Sequence, residues 1–489
     1  MRTNSIIFLL ISAFAFVPLF LAEFARKDSV NTTADFFLQR RKMGLFPMYA
    51  TVYATWMSAF AFMGAISYFY EQGPTYMTTV GWDALFALLF YVVGRRIWFY
   101  GRKYHYVTPM DFFHDIYQNR VLDALVTGIS LVFTMIYIEL QLIGGLFLIQ
   151  SATHGRISMQ ISGAIFFIVL ITYLWAGGLR AVAMTDVFYG AMIIITIFLA
   201  GIFLVKVGGG AEHIFQQLME KNTDKLMIAG PHAKGRAALW ISLFLVVPIG
   251  AFMGPQMWIR CYAAKRARHF EVLPFLLFLS SAVFIGTMLA GCAGLVLFPD
   301  SSSTSMILAN LLVKYASPVF ATLIFLGITA AIFSTANSMI HALSVVFTVD
   351  VYKRHIRPNS ADRSLLVVAK RTVLVISLLS YAILALFSKD LMNVGFYALS
   401  GTAQLIVPVV GALFWKRSSA SGAVAGILSG MGIFLLFTLA FDANTSICGA
   451  LGLFLNALVF VTVSLAQEPD AATEEKIGAY RQDFSANVK

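Results

Sequence analysis

Apolar stretches of about 20 residues, parted by short polar ones, run the length of the chain. A stretch of that length crosses the hydrocarbon core of a bilayer as a helix. The pattern predicts thirteen of them, over residues 4–24, 46–70, 76–99, 122–151, 158–177, 184–208, 237–258, 272–298, 316–347, 368–388, 391–415, 419–441 and 446–467. Transmembrane strands would instead show segments of about ten residues alternating in polarity. Runs such as Val187–Val207 are apolar all round and predict helices. The first stretch is long for a signal sequence and ends without a convincing cleavage site, so it reads as a retained helix.

The polar stretches set an orientation. With thirteen helices, an outside N-terminus and an inside C-terminus, about three quarters of the 35 Lys and Arg fall in cytoplasmic segments, as the positive-inside bias requires. The expected location is a plasma membrane, the bacterial inner membrane in particular.

Composition narrows the class. Of 489 residues, 59% are hydrophobic and 12% charged; soluble domains lie near 45–50% and about 25%. Disordered chains, coiled coils, secreted disulfide scaffolds and nucleic-acid-binding domains are excluded. The net charge of +11 is the signature of cytoplasmic loops rather than of a nucleic-acid partner. Cys261, Cys292 and Cys448 are too far apart for a disulfide framework or metal motif. No P-loop pattern is present, so ATP-driven transport has no engine in this chain. No acid/base, metal or nucleophile cluster points to an enzyme.

Two stretches carry signs of a broken helix. Residues 50–64 gather Ala54, Thr55, Ser58, Ala59 and Gly64 near a helix centre. Residues 247–256 hold Pro248, Gly250, Gly254 and Pro255, which remove donors and weaken a helix. Backbone breaks in a membrane are tolerated where they line a cavity. Inverted-repeat transporters place them at corresponding positions of each half. The two stretches are five segments apart, which suits a five-helix repeat. The competing explanation is close helix packing through small residues.

Segment 316–347 adds Ser334, Thr335, Asn337 and Ser338, four polar side chains within about 1.5 turns. Hydroxyl, amide and backbone carbonyl oxygens suit a hard cation, and the lack of a carboxylate cage favours a monovalent one. Back-bonding of the hydroxyls to carbonyls one turn earlier is the alternative. Among intramembrane acids, which are costly and usually functional, Asp186 either pairs with Arg180, helps coordinate a cation or faces the interface. Glu139 lies mid-helix beside Gln141, and Asp83, nearer a helix end, is expected to be solvated. His341 is expected to be packed or hydrogen-bonded rather than a proton relay.

These segments together resemble the sodium/solute symporter family. The motifs run in family order over nearly the whole chain: Asp35-Phe36-Phe37 with Arg40 to Gly44; Thr108-Pro109 with Asp111-Phe112-Phe113; Gly177-Gly178-Leu179 with Ala181-Val182 and Thr185-Asp186; Pro255-Gln256 with Arg260 and Ala263-Ala264-Lys265; Phe333-Ser334-Thr335; and Trp415-Lys416-Arg417 with Gly422-Ala423 and Ala425-Gly426. The resemblance implies an all-α integral membrane protein with a ten-helix, 5+5 inverted-repeat core, one extra N-terminal helix and two extra C-terminal ones. The corresponding division is 1–44 (extra helix and cytoplasmic loop), 45–208 (first repeat), 209–236 (external loop), 237–415 (second repeat), 416–467 (extra helices) and 468–489 (tail).

The resemblance also implies alternating access driven by inward Na⁺ flow. Matched by motif, the family's Na⁺ site falls on the carbonyls of Ala54, Met57 and Ala331 and the hydroxyls of Ser334 and Thr335. A further Na⁺ site, as in sodium/sialic acid symporter relatives, would fall on Asp186, Ser334, Asn337 and Ser338, with Asn337 replacing the usual serine. Trp56 stands where sodium/proline symporters carry an acid, which speaks against proline. Gly254 and Gln256 stand where the sugar-binding branch has Asn and Tyr, which lowers sugar. The fold the resemblance implies gives substrate candidates Thr55, Trp56, Ser58, Glu139, Gln141, Met253, Gln256, Tyr397 and Gln404, with Trp56 as part of a substrate wall. The reading is a Na⁺-coupled symporter of a small organic solute, amino acid or small carboxylate favoured, working as a monomer in the lipid bilayer with no protein partner. The alternatives are a solute sensor on a transporter fold, or a sugar, sialic-acid or H⁺-coupled member.

Overall fold

The computed structural model describes residues 2–27, 32–152, 159–227, 236–299, 304–383, 391–467 and 471–487. Residues 1, 28–31, 153–158, 228–235, 300–303, 384–390, 468–470 and 488–489, which the expected division includes, lie outside them. The described chain is helical. Its principal elements are α1 (Arg2–Lys27), α2 (Leu45–Trp56), α3 (Phe60–Gln72), α4 (Pro74–Lys103), α5 (Arg120–Ala152), α6 (Met159–Val207), α7 (Arg236–Met253) and α8 (Pro255–Ala263). There follow α9 (His269–Leu297), α10 (Pro318–Val346), α11 (Asp362–Ile383), α12 (Asn393–Phe414), α13 (Ala420–Ala440), α14 (Thr445–Ala466) and α15 (Ala471–Asn487).

Among the described residues, nine helices are long and apolar enough to cross a membrane, and eleven spans result if each of two bent pairs counts as one. The bent pairs are α2 with α3, at 56°, and α7 with α8, at 57°. They fall where small residues and prolines weakened the pattern. Of the remaining two expected spans, 4–24 lies on α1 and most of 158–177 on the first part of α6.

Gly178 divides α6. Its φ of 57° and ψ of −155° are open to glycine alone, and a Cβ there would come within 2.8 Å of the Phe36 carbonyl oxygen. The expected boundary between the fifth and sixth segments is this turn.

Burial inverts the soluble pattern. Ser334, Thr335, Asn337 and Ser338 are buried, while Phe16, Phe20, Leu379, Leu439 and Phe454 are exposed. Large apolar side chains exposed in such number face lipid. The buried centre is α10, packed on α5, α6, α2 and α8.

Candidate functional site

The site grows out of the break between α2 and α3. In a continuous helix the Ala54 carbonyl would accept from the Ser58 amide and the Thr55 carbonyl from the Ala59 amide. Here Ser58 N donates instead to Trp56 O (3.0 Å), and Ala59 N to Gln141 Oε1 (3.1 Å). Phe60 N donates to Ser58 Oγ (3.1 Å), so the serine caps the resumed helix. The released carbonyls meet hydroxyls of α10. Ser334 Oγ donates to Ala54 O at 2.7 Å and lies 3.0 Å from Ala331 O. Thr335 Oγ1 donates to Thr55 O at 3.0 Å.

Of the five expected Na⁺ ligands, Ala54, Ala331 and Ser334 meet directly, while Thr335 lies beside them against the Thr55 carbonyl. Met57, the fifth, sits at the break with φ −79° and ψ 71°, its amide held by Tyr53 O. These are uncharged oxygens, those of Ala54 and Met57 at the end of a broken helix and the rest on the continuous α10.

The second break has a different cause. Pro255 lacks an N–H, and Gly254 adopts an extended φ, ψ of −60°, 138° before it. Gly254 N turns to Ala251 O (3.3 Å), which frees Gly250 O; Thr402 Oγ1 of α12 donates to it at 2.8 Å. Between this break and α5, α10 and α12 lies a cavity of about 10 Å³, bordered by Thr134, Tyr137, Gln256, Met339 and Thr402. That volume is about one water.

A buried cation joins the two broken helices. Arg260 of α8 is fully buried. Its guanidinium donates to Thr51 Oγ1 (2.8 and 3.1 Å), Thr55 Oγ1 (3.0 Å), Ser338 Oγ (2.6 Å) and Gln256 O (2.8 Å), and lies 3.8 Å from Asp186 Oδ2. Asp186 also accepts from Thr51 Oγ1 at 2.5 Å.

The four residues expected at a second Na⁺ site are therefore divided. Ser334 faces Ala54, Ser338 faces Arg260 and Thr55, and Asp186 shares Thr51 with the guanidinium. Asn337 Oδ1 and Asp186 Oδ1 are buried without a hydrogen-bond partner.

Two expectations about acids are corrected. Arg180 pairs with Asp35 at 3.3 Å, not with Asp186, because the Gly178 turn sets it against the 33–38 helix. Asp83 is buried rather than solvated: α4 folds over the first break, and Trp56 Nε1 donates to Asp83 Oδ1 at 2.8 Å. His341 is packed on Phe36 and hydrogen-bonds its carbonyl at 2.8 Å.

The substrate candidates separate by direction. Gln256 borders the central cavity, and Met253 is buried at the last residue of α7. Thr55, Ser58 and Gln141 belong to the wiring of the first break, Ser58 also meeting Tyr137 Oη at 3.1 Å. Trp56 stacks on Phe86, with ring centres 4.3 Å apart. Glu139 is buried, and neither of its carboxylate oxygens has a hydrogen-bond partner among the described residues. Tyr397 packs on Phe133 and Phe434, and Gln404 bonds Gly449 O while accepting from Asn456, both on α14. Glu139, Tyr397 and Gln404 are thus turned away from the cavity. Missed by the sequence reading were Arg260 as a network centre, and Thr134, Tyr137 and Thr402. Thr134, Tyr137 and Gln141 recur at helix spacing on α5, a signal that points to one face.

The remaining motifs meet at one end of the bundle. Met43 N donates to Ala263 O (3.0 Å) and Lys265 N to Met43 O (2.9 Å). Arg41 donates to Tyr262 O and Tyr106 O, Thr108 Oγ1 to Asp350 Oδ1 (2.7 Å), and Arg354 to Asp111 (2.8 Å). These contacts tie segments far apart in the chain to one another.

The family model described as "Sodium:solute symporter family" matches residues 36–430, most of the chain. The chain belongs to the sodium:solute symporter family. The family and its curated members are transporters, not enzymes. Similar curated proteins include the sodium/pantothenate symporter of Haemophilus influenzae, 26% identical over 85% of this chain and 86% of that protein. The sodium/proline symporter of the same organism is 26% identical over 82% of each. Among solved structures, a substrate-bound, outward-open Na⁺-coupled sialic acid symporter superposes with a TM-score of 0.80 at 19% identity, covering 96% of this chain and 98% of that one. This symporter thus has the sialic acid symporter's fold.

Proposed function

We propose that this chain is a Na⁺-coupled secondary symporter that imports a small organic solute by alternating access, with an amino acid or small carboxylate as cargo. One observation carries the reading: the carbonyls released at the first break, Ala54 and Thr55, point at the Ser334 and Thr335 hydroxyls at 2.7 and 3.0 Å. With Met57 and Ala331 these groups form the proposed Na⁺ site. A Na⁺ ion entering there takes over oxygens that now bond one another, and couples α2 to α10. The relatives named for pantothenate and proline support a cargo with a carboxylate. The cavity that Gln256 borders is its proposed place, and Met253, Thr55, Ser58 and Gln141 are proposed to join its lining during the cycle. Trp56, Glu139, Tyr397 and Gln404 reach it only if the helices that hold them move during the cycle.

The proposed architecture has thirteen spans: a 5+5 core at 45–208 and 237–415, an extra span within 1–44, two within 416–467, an external loop at 209–236 and a cytoplasmic tail at 468–489. The near-equal bends of 56° and 57°, five spans apart, support the repeat. The Lys and Arg distribution supports an outside N-terminus in a bacterial inner membrane. One chain holds both repeats, which supports a working monomer. A second Na⁺ at Asp186, Ser334, Asn337 and Ser338 is favoured by the two unpartnered oxygens of Asp186 and Asn337; Asp186→Asn would then bring the Na⁺ Hill coefficient toward one.

The test is thermal stability of the purified protein in choline buffer, with and without Na⁺, across amino acids, short carboxylates and sugars. Ligands that bind only the folded state raise its midpoint. A solute that stabilises only with Na⁺ present is the expected result. Solutes that bind regardless of Na⁺ would move H⁺ coupling or a sensor role to the front.

A further inference from the structure

Four cations at the end of the bundle where the motifs meet have acidic partners: Lys103 pairs with Asp483, Lys476 with Asp115 at 2.8 Å, Arg95 with Glu271 at 3.1 Å and Arg354 with Asp111 at 2.8 Å. Others have no ion pair among the described residues, and three of these, Arg96, Lys416 and Arg481, border one cavity of about 620 Å³. No acidic side chain lines it. Bringing three cations together without an anion raises the energy of the empty site through mutual repulsion, which a bound anion relieves.

The floor of the cavity is aromatic and fixed. The Arg96 guanidinium is held between the rings of Phe414 and Phe484, 4.6 and 4.7 Å from their centres, and donates to Val92 O at 2.6 Å. Arg96 is therefore pre-positioned, which lowers the ordering cost of binding. The cavity also stands at a definite depth. Phe414 is the last residue of the span Asn393–Phe414, and Arg96 is in the last turns of Pro74–Lys103. Below it, Val410 and Phe414 on one helix and Leu88 on the other are exposed apolar side chains. An apolar surface thus leads from the bilayer core up to a basic cavity at the level of the headgroups, the arrangement that lets one molecule place acyl chains on the first and a phosphate in the second.

We propose that this cavity, built where α15 covers the ends of α4 and α12, is a binding site for the phosphate headgroup of an anionic phospholipid. Arg96 and Arg481 offer fork-shaped donors to the phosphate oxygens, Lys416 supplies a point charge, and α15 is held to the bundle when the lipid is bound.

The test uses the full-length protein, delipidated in detergent, and measures its unfolding midpoint during titration with phosphatidylglycerol, phosphatidylcholine or inorganic phosphate. Phosphatidylglycerol raises the midpoint of the wild type, and the other two do not. A K416Q/R481Q variant weakens the apparent phosphatidylglycerol affinity on the order of tenfold, as expected for two exposed ion pairs. A K353Q/R357Q variant, which removes the same charge from exposed positions elsewhere, keeps the wild-type affinity. Equal weakening in both variants, or equal stabilisation by phosphatidylcholine, overturns the proposal. Stabilisation by inorganic phosphate alone overturns the lipid as its source. Because the readout contains neither Na⁺ nor solute, its outcome is independent of the symport reading.

Discussion

The two broken helices bend by nearly the same angle, 56° and 57°, for different reasons. The second break is local. Gly254-Pro255 removes a donor in the middle of an apolar run, and one hydroxyl, Thr402, satisfies the carbonyl that is freed. The first break contains no proline. It exists because groups elsewhere take each displaced partner: Gln141 holds the Ala59 amide, and Ser334 and Thr335 take the Ala54 and Thr55 carbonyls. A break written into the backbone is a fixed hinge. A break held open by side chains of two other helices changes when those side chains change partners, which is what a coupling ion does. Arg260, just past the fixed hinge, reaches back to Thr51 and Thr55 before the responsive one.

The comparison is broken most severely at that link. Arg260→Gln leaves Asp186 buried without its nearest cation, and breaking a buried pair by removing one partner costs about 3–5 kcal/mol. The expected outcome is a large fall in unfolding midpoint. Adding Asp186→Asn to the variant restores part of the loss, since the uncompensated charge is then gone; a double-mutant cycle reads this coupling. Strictly additive effects would separate the two residues.

The next effect is functional rather than structural. Thr335→Ala removes one proposed Na⁺ ligand at the responsive break. Hydrogen bonds and contacts to charged groups contribute roughly 1.5–3 kcal/mol, so the Na⁺ concentration for half-maximal stabilisation or uptake rises by about ten- to a hundredfold. Thr335→Ser, which keeps the hydroxyl, stays near the wild type. Unchanged Na⁺ dependence in the alanine variant would remove Thr335 from the site.

These contrasts also explain what the sequence disclosed. Proline and glycine act through their own backbones, so the second break could be read from residues 247–256 alone. The polar run 334–338 stood out because its neighbours are apolar. The partners of that run could not be read, since Ser334 meets Ala54 across 280 positions of chain. Direction failed for the same reason. Gln404 and Glu139 are polar residues in apolar helices and Gln256 stands just past a break, yet only the packed helices decide that Gln404 serves α14 while Gln256 borders the cavity. Arg260 lies two residues past the apolar stretch 237–258, where the hydrophobic pattern places a loop. The last turn of α8 draws it inward, to three hydroxyls from two other helices, α2 and α10.

Two substitutions at the fixed hinge sharpen the comparison on a smaller scale. In Gly250→Ala the new Cβ would lie 2.1 Å from the Leu399 carbonyl oxygen, a backbone group that cannot rotate aside. Overpacking of this kind costs about 1–3 kcal/mol, so the midpoint falls while the Na⁺ requirement of the remaining folded protein stays put. Pro255→Ala is the mildest. Pro255 occupies the first turn of α8, where its missing N–H is no loss and its fixed φ suits the helix. Replacing it mainly returns freedom to the unfolded chain, worth less than about 1 kcal/mol, provided Gly254 keeps its extended conformation. If the alanine variant instead loses several times that amount, the proline is needed to hold the bend open. The second break would then depend on its neighbours as the first does, and the division between a fixed and a responsive hinge would fail.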